Sequence, residues 1–129
     1  MNAINKYKNA QTFTSAVDQL LFVLDEVIKL LYQAKIAMEK NDYEKKFKTL
    51  ETAADVLYAL RVGCNAEKDN KLLKLMSDFY GSITVAIHEI NQQGNNIVEL
   101  KKITDTVKSV KEMIISNKEQ TKVAAEEQK

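Results

Sequence analysis

Few residues in this 129-residue chain could do covalent or acid–base chemistry. His88 is the only histidine. A di-metal centre in a helical bundle takes Glu-x-x-His pairs from two helices, and this chain has no such pair. Glu89 follows His88 directly, so on a helix their side chains diverge by about 100°. Cys64 is the only cysteine. It has no internal disulfide partner, and no base stands at a spacing that would activate it. Asp25 and Glu26 are adjacent and diverge, and Asp55 falls on another segment, so no carboxylate pair is singled out. Three separated glycines make no phosphate-binding loop. No catalytic, metal or cofactor site is expected.

The charged residues exclude further classes. Nineteen basic and eighteen acidic residues leave a net charge of +1. Lys45, Lys46 and Lys48 form the densest basic stretch, and Glu44 and Glu51 offset them. A nucleic-acid surface carries a larger basic excess. The most apolar run, Leu20 to Tyr32, is broken by Asp25, Glu26 and Lys29, whereas a membrane span needs about 20 apolar residues. Met1 to Ala10 lack the apolar core of a signal peptide. The expectation is a cytoplasmic protein with neither nucleic acid nor membrane as partner.

The elements that carry these residues read as helices. There is no proline, and hydrophobic residues make up 45% of the chain, a poor basis for a turn-rich β fold. From Val17 to Lys40 the residues Val17, Leu20, Leu21, Leu24, Ile28, Leu31 and Met38 recur at three- and four-residue steps. Ser15 is placed to cap this helix and Asp18 falls in its first turn. Asn41-Asp42 punctuates. A second helix from Tyr43 to about Arg61 carries Phe47, Leu50, Ala53, Ala54, Leu57 and Leu60. Gly63-Cys64-Asn65 should end it, with the glycine free to turn left-handed.

A third helix, started by Asp69 or Asn70, carries Leu72, Leu73, Leu75, Met76, Phe79, Tyr80, Ile83, Ala86, Ile87 and Ile90. It should stop near Gly94-Asn95. Asn96 and Glu99 then resemble a capping box. The fourth helix carries Leu100, Ile103, Val107, Val110, Met113 and Ile114. Beyond Asn117 the apolar rhythm fails, and fraying or disorder is expected over 117–129. The first twelve residues look equally loose. The fold expected is all-α: one domain over 1–129, an antiparallel four-helix bundle with a core over about 14–116, short loops and loosely ordered termini.

Apolar residues exceed what one seam needs. Phe22, Val23, Val27 and Leu30 widen the stripe of the first helix. Either the bundle buries that helix on nearly all sides, or a groove is left for partner helices. Periodicity alone leaves both open.

The chain also resembles the FliS family of flagellar export chaperones over roughly Tyr7 to Ile114. Thr14-Ser15-Ala16 is similar to that family's Thr-x-Ser-Pro lead-in, with the proline replaced. Within Leu20 to Ile28, Asp25 and Ile28 match the family's step, while Leu24 stands for its tyrosine and Glu26 for its glycine. Ala34, Ala37, Met38, Glu39 and Asp42 continue the pattern. Phe79-Tyr80 resembles a Leu-Tyr pair, and Ile87, Ile90 and Asn91 follow it. Leu100 and Ile103 keep the spacing of the last helix.

The resemblance implies a helical bundle that binds the C-terminal region of flagellin, keeps it from polymerising and brings it to the export apparatus, without catalysis or cofactor. Tyr7, Val23, Val27, Leu30, Tyr80 and Ile87 become the candidate client-facing or groove-supporting residues, with Tyr7 a movable cover. Leu24 and Phe79 are assigned to the core. Monomer or weak homodimer is the expected state. The competing reading is a non-enzymatic helical adaptor, or a self-associating bundle with another protein client.

Overall fold

The structure, a computed structural model, describes residues 16–64 and 71–127, apart from the side chains of Ala16, Leu72 and 120–127. Four helices account for nearly all of this: α1 (Ala16–Glu39), α2 (Tyr43–Cys64), α3 (Lys71–Gln92) and α4 (Ile97–Glu127). They form the four-helix bundle expected from the sequence. Packing is closest between α2 and α3, then α1 and α2, then α1 and α4; α3 and α4 meet least. Each helix thus touches its two neighbours in a ring, the arrangement short antiparallel connections impose.

The α1–α2 turn shows how local chemistry sets this topology. Asn41 takes the left-handed conformation, with φ 56°. Its N–H donates to the Met38 carbonyl at 3.2 Å, and the Asp42 N–H donates to Ala37 at 2.8 Å. This pair of bonds is a Schellman motif, and asparagine tolerates the left-handed position better than other side-chain-bearing residues. Asp42 Oδ1 then accepts from the Lys45 N–H at 3.2 Å and caps α2. Asn96 Oδ1 accepts from the Glu99 N–H at 3.1 Å and caps α4. Glu99 itself turns to Lys102, at 3.1 Å, so the Asn96 cap is the half of the expected box that these bonds supply.

The same end of the bundle is tied across its two loops. Asn95 Nδ2 donates to the Met38 carbonyl and to Asn41 Oδ1, each at 3.0 Å. Lys46 is buried on α2, yet its ammonium donates to the carbonyls of Gln93, at 3.0 Å, and Gly94, at 3.5 Å. It thereby supplies a donor to the Gln93 carbonyl just past α3 and a second donor to the Gly94 carbonyl, which also accepts from the Asn96 N–H at 2.8 Å. Desolvation lowers the pKa of this lysine from its ordinary value.

The core runs the length of the bundle. Leu24, Leu31, Leu50, Leu57, Ile87, Leu100 and Val107 are fully enclosed, with Ile83 beside them. Small Ala34, Ala53 and Ala54 are also buried, which lets neighbouring helices approach. The buried threonines Thr49 and Thr104 bond back to the carbonyls of Lys45 and Leu100.

Several details differ from expectation. Gly63 lies within the last turn of α2, and no described glycine has a positive φ; the left-handed residue is Asn41. Helix α4 continues past Asn117 to Glu127. Its Lys, Glu, Gln and Ala content favours helix without a core, and Lys118 pairs with Asp18 of α1. Phe47, Leu75 and Met113 fit the apolar stripes but are exposed, because they sit at the borders of the buried arcs. The expected caps Ser15, Asp69 and Asn70 lie outside the described residues.

Candidate functional site

The chemically capable residues remain apart. His88 is exposed on α3. Cys64 is half-buried, and desolvation raises its thiol pKa, away from the reactive thiolate. Among the described residues, no three His, Cys, Asp or Glu side chains come together as a metal site. No helix there is long and apolar enough to cross a membrane.

The candidate client residues separate into three groups. Val23 and Val27 on α1 and Tyr80 and Ile87 on α3 are buried in the core. Leu30 is partly buried and packs against that core. Tyr7 lies outside the described residues. In the chain alone, the buried four shape the surface from beneath rather than presenting side chains to it. Leu24 is in the core as assigned, and Phe79 is partly buried against it.

Tyr80 is the most unusual of these residues. Its ring packs edge-on against Phe79, with centroids 5.5 Å apart and planes at 61°. Its buried hydroxyl has no hydrogen-bond partner among the described residues. Burial pushes the phenol pKa upward, and the nearby Cys64 adds to the shift.

The surface above these residues is set by unequal closure of the ring. Between α1 and α4, Lys118 meets Asp18, Lys111 meets Asp25 and Lys108 meets the Tyr32 hydroxyl. The α1 partners recur at heptad spacing, so they share one face along the helix. The Lys108 ammonium also lies 4.6 Å from the Tyr32 ring centroid. This ladder fastens α4 to α1.

Among the described residues no ion pair joins α3 to α4, the most sparsely packed neighbouring pair. Counting outward from their connecting loop, Met76 of α3 lies level with Met113 of α4, Leu75 with Ile114, and Phe79 with Val110. Leu75 is 66% exposed and Met113 63%. Met76, Phe79 and Ile114 are partly buried against the core. The sparse packing leaves an apolar cleft along the α3–α4 seam, with Leu75 and Met113 as its lips. Methionine and leucine at such a position adapt readily to a partner helix.

Sequence reasoning gave Leu75 and Met113 to the core stripes, because periodicity cannot tell a closed seam from an open one. It also passed over Tyr43 and Tyr58, although their spacing with Phe47 and Val62 was a readable signal of an apolar face on α2.

The family model described as flagellar protein FliS matches residues 1–119. No curated protein matches the chain. The match extends over all of α1, α2 and α3 and most of α4, so the chain belongs to the FliS family, a family of flagellar chaperones.

Proposed function

We propose that this chain is a cytoplasmic export chaperone that holds the C-terminal helical region of flagellin, prevents its premature polymerisation and presents it to the flagellar export apparatus. The observation that carries the reading is the sparsely packed α3–α4 seam, with Leu75 and Met113 exposed along it and Met76, Phe79 and Ile114 partly buried against the core. An amphipathic helix laid there exchanges exposed apolar surface for protein contacts, at about 25 cal/mol for each square ångström removed from water.

The mechanism needs no covalent step. A disordered client segment folds as it binds, and its ordering cost keeps affinity below what the contact area alone would give. Val23, Val27, Tyr80 and Ile87 set the position of the helices that form the cleft. Leu30 supports them from α1, and Tyr7 is proposed as a displaceable cover. Release follows when the export apparatus offers the client competing contacts. The chaperone acts as a monomer or weak homodimer, with no cofactor.

Filament growth from flagellin seeds tests this reading. An equimolar amount of the chain should stop elongation. The double variant Leu75→Glu/Met113→Glu, both at exposed positions, should stay folded and lose the block. Unimpeded growth with the wild-type chain would overturn the proposal, as would full inhibition by the folded double variant.

A further inference from the structure

Helix α2 carries a second apolar face, away from the α3–α4 cleft. Tyr43, Phe47, Tyr58 and Val62 are all exposed. Their spacing sets them within one arc of about 100° on the helix. That arc borders α3, as two contacts fix. The Phe47 carbonyl accepts from Asn91 Nδ2 at 3.3 Å. Arg61 lies over Gly81 so closely that a Cβ at Gly81 would stand 3.1 Å from the guanidinium carbon. One turn along α3 from Gly81 is Val85, 57% exposed. Because α2 and α3 run antiparallel, these contacts set Val85 level with residues 53–57, in the turn before Tyr58. Together these residues make an apolar strip about 30 Å long on the outside of the α2–α3 pair, interrupted by the exposed Glu51 between Phe47 and Tyr58.

The rims of the strip are acidic. Asp55 flanks it on α2, Asp78 and Glu89 flank it on α3, and Glu51 stands within it; all four are exposed. None of them has an ion pair among the described residues. Between Phe47 and Val62 the cations on α2 are Arg61, folded over Gly81, and Lys48, bound to Glu44 at 2.9 Å. Lys71 and Lys74 of α3 lie beyond this stretch, towards the far end of the bundle. Aromatic side chains in the floor with carboxylates at the rim match the composition of a protein-binding surface.

We propose that this strip is a second docking surface, which takes an amphipathic helix of another protein with an apolar face flanked by lysine or arginine. The charges decide the occupant. A symmetric pairing of two copies through the strip would set the same carboxylates against one another, which is repulsive. A basic-flanked helix places its cations on Glu51, Asp55, Asp78 and Glu89 while Tyr58, Phe47 and Val85 receive its apolar residues.

The test uses the full chain and two synthetic helices about 20 residues long, one of leucine and lysine and the other of leucine and glutamate. Binding is read by fluorescence anisotropy and located by backbone amide shifts. The leucine–lysine helix should bind at least tenfold more tightly, with shifts along 43–62 and 78–89. Tyr58→Ser/Val85→Ser should weaken it at least tenfold with helicity unchanged, and Glu51→Lys/Glu89→Lys should invert the preference between the two helices. Equal binding of both helices, no binding, shifts confined to the α3–α4 cleft, or an indifferent Tyr58→Ser/Val85→Ser variant would each overturn the proposal. Sedimentation of the chain alone adds one more contrary outcome: a dimer abolished by Tyr58→Ser/Val85→Ser would make a second copy the occupant. No flagellin enters the experiment, so this inference and the chaperone reading can fail separately.

Discussion

At Val27 the side chain is wholly enclosed by the core. A carboxylate placed there has neither water nor a partner, and such a buried charge costs on the order of 4 kcal/mol or more. Val27→Asp should therefore unfold the chain or strip most of its stability, read by circular dichroism during urea denaturation. Retained helicity with only a binding defect would instead place Val27 at a surface. Tyr80 is the opposite case, because its buried hydroxyl lacks a partner among the described residues. Tyr80→Phe removes a desolvation cost and should raise stability by about 1 kcal/mol. The same substitution should alter the alkaline limb. In the folded chain the phenol pKa is raised above its ordinary 10.0, chiefly by burial and secondarily by Cys64. The folded state then holds a proton that the unfolded state releases. The contribution is present below pH 10.0 and is lost as pH rises above it. Tyr80→Phe should lose less stability than the wild type between neutral pH and that alkaline range, measured by denaturant midpoints.

For the helices, position and capping were mostly legible and closure was not. The Asn41-Asp42 break, the Asn96 cap and the core assignments of Leu24, Leu57 and Ile83 follow from side-chain chemistry and 3.6-residue periodicity, and the structure has them. The extension of α4 to Glu127 was missed because apolar rhythm was weighed above intrinsic propensity. Lys46 was counted among solvated lysines, yet it is buried against the end of α3. Nothing in its neighbourhood of the sequence reveals that, since its partners, the carbonyls of Gln93 and Gly94, lie in a distant loop. Lys46→Met keeps the stem and removes the donors. It should cost about 1–2 kcal/mol in chemical denaturation, and amide exchange should quicken first in the α3–α4 loop. An unchanged midpoint would mean that the two carbonyls find water without penalty.

Taken as a whole, the molecule closes three sides of its ring more firmly than the fourth. That asymmetry was beyond the sequence. The surplus of apolar residues was evident, but its division between core and surface depends on how the helices are fastened. Val23 and Val27 went inward with α1 enclosed on a wide arc, while Leu75 and Met113 stayed outside where α3 and α4 pack most sparsely. The resemblance to flagellar chaperones was carried by residues in both places, so it indicated the family without locating the surface. The most direct test of the chaperone reading is titration calorimetry of the full chain with the C-terminal helical segment of flagellin, with size exclusion of the mixture alongside. The account predicts a saturable one-to-one complex with a negative heat-capacity change, weakened at least tenfold by Leu75→Glu/Met113→Glu. A folded chain that gives no heat and does not co-elute with the segment would contradict it.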